Sequence, residues 1–169
     1  MTVRLTILTT GGTIDKTYDE FQGSLRNSHT VLDVILDSLR IPDLFVRHVE
    51  VMHKDSLDMT EEDREIIAKA VCDAAPTSDG VVVLHGTDTL SETGEQLCRE
   101  CVDLEIPVIL TGAMRPYEFR DTDAMQNVTE ALLAVRMLDR GIHVAMHNRV
   151  LSFPGVIKDR QALTFVRND

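Results

Sequence analysis

The chain contains no run of about 18 apolar residues, so nothing in it reads as a helix that spans a bilayer. Basic residues are scarce and scattered: 17 Lys and Arg stand against 28 Asp and Glu, leaving a net charge of −11. A nucleic acid or an anionic membrane surface needs a clustered basic face, so neither is expected as a partner. Cysteine is limited to three residues, an odd count. The N-terminal stretch MTVRLTILTTGG has a strand pattern and lacks the long apolar core and cleavage site of an export signal. Free thiols and a cytoplasmic location are therefore expected. No repeat, low-complexity tract or linker divides the 169 residues, which read as one domain spanning 1–169. The glycines at Gly11-Gly12 lack the spacing of a dinucleotide fingerprint. The histidines are not read as ligands, so no metal or other cofactor is expected.

What the chain does have is organised around Gly80 to Thr93, GVVVLHGTDTLSET. Val81 to Leu84 is a short run of branched apolar residues, the pattern of a strand buried on both faces. Thr87-Asp88-Thr89 falls where that strand ends, and Thr89 with Glu92 has capping-box spacing, so a helix is expected from Leu90. Upstream, Val3 to Thr10 reads as a strand, Asp15 to Gly23 as a mobile loop, and Thr30 to Leu39 as a helix with Val31, Val34, Ile35 and Leu39 inward. Phe45 to Met52 reads as a two-sided strand. Thr60 with Asp63 forms a second capping box, opening a helix with Ile66, Ile67, Ala70 and Val71 on its buried stripe. Downstream, Ile106 to Thr111 and His143 to His147 read as strands flanking a helix over Thr122 to Leu138. An irregular or hairpin segment over Val150 to Arg160 and a short strand at Leu163 to Val166 close the chain. The C-x-x-C at Cys98 and Cys101 lies late in a helix and reads as packing. Strands alternating with helices imply an α/β fold: a mainly parallel sheet with helices on both faces, a three-layer Rossmann-like or flavodoxin-like single domain.

In such sheets ligands bind beyond the carboxyl ends of the strands. Three strand ends there carry hydroxyls: Thr13, Ser56, and Thr87 beside Asp88. A threonine hydroxyl needs a base before it is a useful nucleophile, and Lys158 or Tyr18 could supply that base or part of its relay, with Asp88 holding the lysine.

These residues resemble the bacterial-type L-asparaginases, a family of threonine amidohydrolases. TTGGTID (Thr9 to Asp15) is similar to the family's first signature and HGTDTLSET (His85 to Thr93) to its second. GAMRP (Gly112 to Pro116) is typical of the family, Asp55 to Met59 is similar to its substrate loop, and Lys158 falls at its lysine position. The resemblance implies hydrolysis of L-asparagine to L-aspartate and ammonia through a threonine acyl-enzyme. Thr13 is then the nucleophile, assisted by Tyr18, with Thr87, Asp88 and Lys158 as a second relay. The substrate is expected against Gly12, Asp55, Ser56, Gly86, Ala113 and Met114.

Departures from the family pattern shape the remaining expectations. The chain is about half the usual family length, so the family's smaller second domain is expected to be missing. Leu57 stands where many members have a glutamine that binds the substrate's amino group. In the larger relatives a neighbouring subunit lends an acid to the site, so a homo-oligomer built from dimers is expected. The rival readings are an amino-acid-binding domain without strong catalysis, and an amidohydrolase that prefers glutamine or another amide.

Overall fold

The computed structural model describes residues 1–168. β1 (Val3–Gly11) runs into a 3-10 turn at Thr13–Asp15, then a small hairpin of β2 (Thr17–Asp19) and β3 (Ser24–Arg26), then α1 (Leu32–Ser38). β4 (Leu44–Lys54) ends in a second 3-10 turn, Ser56–Asp58, before α2 (Glu61–Ala74). β5 (Gly80–Leu84), α3 (Leu90–Glu100), β6 (Pro107–Thr111), α4 (Ala124–Met137) and β7 (Gly141–Met146) continue the alternation. β8 (Arg149–Ser152) turns back along β7, and β9 (Val156–Asp159) pairs with β10 (Thr164–Arg167) in a separate hairpin.

The main sheet has the order β4-β1-β5-β6-β7-β8. Its first five strands are parallel and β8 is antiparallel. Every residue of β5 and β6 is buried, as their unbroken branched sequences require. Alternation along β5 divides the core between two faces. Val81 and Val83 pack with Ile67, Val71 and Leu97 of α2 and α3. Val82 and Leu84 pack with Leu32 and Ile35 of α1 and with Val128 and Ala131 of α4. Helices thus cover both faces of a mainly parallel sheet, the three-layer arrangement that the alternating pattern implies.

Numbered by the parallel strands alone, the order is 2-1-3-4-5, the flavodoxin-like order, and the direction of winding reverses between β1 and β5. The loops after those two strands hold Thr13 and Thr87.

Several local expectations are corrected. The segment read as a loop over Asp15 to Gly23 contains β2, whose three residues pair with β3. Its alternation is too short to register as a strand. Near the C-terminus the hairpin alternative holds: β8 turns back along β7 on the sheet edge, and β9 pairs with β10, the expected short last strand. Ile66 and Val34 face solvent. On α2 the inward positions are Asp63, Arg64, Ile67, Ala68, Val71 and Ala74. Arg64 goes inward because its guanidinium is paired, with Glu92 Oε2 at 2.9 Å and with Thr60 O at 3.1 Å. The capping box at Thr60 and Asp63 forms in full. The one at Thr89 does not, because Thr89 has other partners.

Candidate active site

Four strand ends converge on one edge of the sheet. They converge closely because glycine occupies the contact points. A Cβ built on Gly12, whose φ is +84°, would lie 2.5 Å from the Gly86 backbone. One built on Gly86 would lie 2.7 Å from the Ser56 side chain. The loops after β1 and β5 therefore meet backbone to backbone, and the Ser56 side chain after β4 packs onto Gly86, approaches that a Cβ at Gly12 or Gly86 would block. Gly12 N–H donates to Lys54 O at 2.9 Å, and His85 N–H to Thr111 O at 2.9 Å, tying in the ends of β4 and β6.

Thr89 is drawn off helix capping by this convergence. Its N–H donates to Ser56 Oγ at 3.2 Å and its Oγ1 to Ser56 O at 2.8 Å. The start of α3 is thereby fastened to the Asp55–Asp58 turn. Asp55 in turn accepts from Lys16 Nζ at 2.5 Å and from Leu57 N–H at 3.0 Å. Burial alone would raise the Asp55 carboxyl. The bonds from Lys16 and Leu57, with the charges of Lys16 and Lys158, outweigh it and hold the group below the usual carboxylate range.

Lys158 comes from β9 and reaches across to the end of β5. Its Nζ donates to Thr87 Oγ1 at 2.8 Å and to Asp88 Oδ1 at 2.9 Å, and its side chain is 12% exposed. Arg160, two residues on, donates to the same Asp88 oxygen at 3.0 Å. Thr87 itself is buried. Thr13 is half-buried at the β1 end, and its hydroxyl has no hydrogen bond among the described residues. Tyr18 is 61% exposed on β2. Its N–H donates to Glu118 Oε1 at 2.7 Å, which ties the hairpin to the loop after β6. Ala113, in that same loop, is buried. Met114 N–H donates to both Asp123 oxygens at 3.0 Å.

The structure thus brings Gly12, Asp55, Ser56, Gly86, Thr87, Asp88 and Lys158 into one connected edge. It leaves Tyr18 on the surface, without a hydrogen bond to Thr13 among the described residues. Residue-by-residue reading of the sequence missed Lys16, Arg160 and Asp123. Asp123 directly precedes α4, a position where an acidic residue draws attention as a cap. Here it caps nothing by its side chain and grips the Met114 loop and His147 instead. Burial would raise its carboxyl, but the bonds from Met114, His147, Arg115 and Asn127 outweigh that and lower it. His143 and His147 have H-x-x-x-H spacing, yet they bond different partners, Ser152 and the Asp123–Thr164 pair. Among the described residues no group of three or more His, Cys, Asp or Glu is placed to hold a metal ion.

His85 is fully buried under the edge. Nδ1 sits 2.7 Å from Gly86 O and must donate, so Nε2 is the acceptor for the Thr93 hydroxyl at 2.7 Å. Burial, with the nearby charge of Arg64, depresses its pKa from 6.5 to about 4, against the opposing pull of Gly86 O. The native imidazole is therefore neutral across the range in which the unfolded one gains a proton. Stability from this group is complete above pH 6.5 and is lost as the pH falls toward 4, by about 3 kcal/mol. Urea unfolding at pH 7 and pH 5 is expected to show this acid loss, and His85→Gln to flatten the slope. An unchanged slope in the variant would place the acid sensitivity elsewhere.

Fold and edge together define an α/β domain whose switch point carries threonine hydroxyls beside a lysine–aspartate pair. The chain belongs to the asparaginase family: the family model "Asparaginase, N-terminal" matches residues 4–161. It is 33% identical over 163 residues to a probable periplasmic L-asparaginase of Haemophilus influenzae, covering 91% of this chain and 46% of that one. It is 28% identical to a glutamyl-tRNA(Gln) amidotransferase component of Methanococcus vannielii, over 86% of this chain and 34% of that one. The thermostable L-asparaginase of Thermococcus kodakarensis superposes with a TM-score of 0.83 at 29% identity, over 97% of this chain and 51% of that structure. The chain spans about half the length, or less, of these relatives. No helix among the described residues is long and apolar enough to cross a membrane.

Proposed function

We propose that this chain carries the reaction centre of an L-asparaginase, hydrolysing L-asparagine to L-aspartate and ammonia. The observation that carries the reading is Lys158 Nζ bonded at once to Thr87 Oγ1 and Asp88 Oδ1, across 71 and 70 residues of sequence, at the switch point. In this mechanism Thr13 Oγ1 attacks the side-chain amide carbon, ammonia leaves, and water then cleaves the acyl-enzyme to release aspartate. Tyr18, on the β2–β3 hairpin, assists Thr13. Thr87, Lys158 and Asp88 form the proton relay. Lys158 Nζ donates to both Thr87 Oγ1 and Asp88 Oδ1, and Arg160 shares that Asp88 oxygen, which fixes the lysine beside the threonine hydroxyl. Backbone N–H groups at Thr87 and Asp88, before α3, serve the oxyanion. Gly12, Asp55, Ser56, Gly86, Ala113 and Met114 surround the substrate.

The test is ammonia release from L-asparagine by the purified chain, with L-glutamine in parallel. Release from asparagine well above that from glutamine supports the reading. The relative named as an amidotransferase favours a second reading, in which another amide is the main substrate. Preference for glutamine would select it. No release from either amide, with asparagine still bound, would leave an amino-acid-binding domain.

Assembly and compartment belong to the same reading. Leu57 is 65% exposed beside Ser56 and offers no polar group to that side of the site. A homo-oligomer built from dimers, with an acid lent across the interface, would complete it. Light scattering with activity over a dilution series is expected to show turnover falling as dimers dissociate. A fully active monomer would contradict this. A cytoplasmic location also belongs to this reading, and cell fractionation decides it against the periplasm named for the Haemophilus relative.

A further inference from the structure

The cysteines take no part in the strand-end site. Cys72 lies in the last turn of α2 and Cys101 caps the C-terminus of α3. Both helices start at the edge where the parallel strands end and run back to the opposite edge. The two residues therefore meet at the end of the domain away from Thr87 and Asp88. Their Sγ atoms are 3.0 Å apart, about 1 Å more than a covalent S–S bond. All three cysteines are unbonded; Cys72 is exposed and Cys101 buried. A cleft of about 400 Å³ lined by Cys72, Pro76, Glu100, Cys101, Asp103 and Leu104 opens beside the pair, with Cys72 as the exposed sulfur.

We propose that Cys72 and Cys101 are a site of oxidative cross-linking, closing to a disulfide when a low-molecular-weight disulfide enters this cleft. Cys72, the accessible sulfur, attacks the reagent as its thiolate, forming a mixed disulfide and expelling one reagent thiol. Cys101 then loses its proton and attacks Cys72 Sγ, expelling the second. Two protein thiols become one disulfide, and one reagent disulfide becomes two thiols. Burial pushes the Cys101 thiol up, with the neighbouring Cys72, Glu100 and Cys98 adding to the rise; the Cys72 part is relieved once that sulfur is in the mixed disulfide, and the second step quickens as the pH rises.

The cross-linked positions are 29 apart and enclose β5, Thr87, Asp88 and α3. Joining them restricts the unfolded chain while leaving the strand-end edge untouched. Cys98 is the competing partner for Cys101. A bond between those two closes only a single helical turn and ties α3 to nothing.

The test is incubation of the intact chain with oxidised glutathione, alkylation, intact mass and peptide mapping. The expected result is loss of two hydrogens, a Cys72–Cys101 linked peptide, and Cys98 still open to alkylation. The melting temperature should rise by roughly 5–10 °C and fall back under dithiothreitol. Cys72→Ser should abolish both changes, and Cys98→Ser should keep both. A lasting glutathione adduct on Cys72, a mapped Cys98–Cys101 bond, or a cross-link without a rise in melting temperature would each overturn the proposal. None of these readouts uses catalysis, so they stand whatever the substrate assay gives.

Discussion

Thr13→Ala is expected to remove asparagine turnover, lowering kcat by roughly 10³- to 10⁵-fold, while the protein melts close to the wild-type temperature. The two halves of this expectation have separate physical grounds. Thr13 sits at the start of a 3-10 turn whose backbone is held by Gly12 O and Thr13 O, accepting from Asp15 and Lys16 N–H. Its hydroxyl is half-exposed and has no partner among the described residues, so deleting it leaves no buried group unpaired. Removal of an unbonded, accessible hydroxyl costs less than about 0.5 kcal/mol of stability. If the hydroxyl is the nucleophile, nothing replaces it in the variant. The measurement is kcat for ammonia release beside a thermal melt. Near-normal turnover would sink the assignment and turn attention to Thr87, the threonine that the structure joins to a lysine.

The contrast between Thr13 and Thr87 shows what the sequence could and could not reveal. The strands are legible because each is a short apolar run bounded by glycine or a polar turn, and β5 is the clearest case. The helix at Thr60 is legible because both partners of its cap lie within three residues. The same signal misleads at Thr89, because Ser56, from a loop 33 residues away, offers that threonine better bonds. The pattern also misplaces Ile66 on the buried stripe, because a local count of apolar residues does not foresee a paired arginine going inward. Within the site, the types Thr, Asp and Lys are readable from their motifs. The partners that tune them are not. Arg160 on Asp88 and Lys16 on Asp55 lie 72 and 39 residues from their carboxylates. Nor does the sequence reveal that Tyr18 sits on a hairpin facing solvent. Flat polar segments such as β2 and β3 carry no periodicity from which to read where they pack.

Lys158→Met is expected to reduce kcat by about 10³-fold or more, and the reduction should not add to that of Asp88→Asn. Both single variants are expected to fold. Without Lys158, Asp88 keeps Arg160 at 3.0 Å and is not left as an uncompensated carboxylate. Thr87 Oγ1 loses its donor, a modest cost for one hydroxyl. In Asp88→Asn the side-chain oxygen still accepts from Lys158 and Arg160, but the negative charge that steadies the ammonium is gone. Each variant therefore disables the same proton path at a different point. Once the path is broken, breaking it again has little further effect. The double variant should lose at most a few-fold beyond the worse single. Comparing kcat across wild type, both singles and the double supplies the cycle. A double variant whose loss equals the product of the two single losses would mean that Lys158 and Asp88 act on separate steps, and the bonds that join them at Thr87 would then be structural.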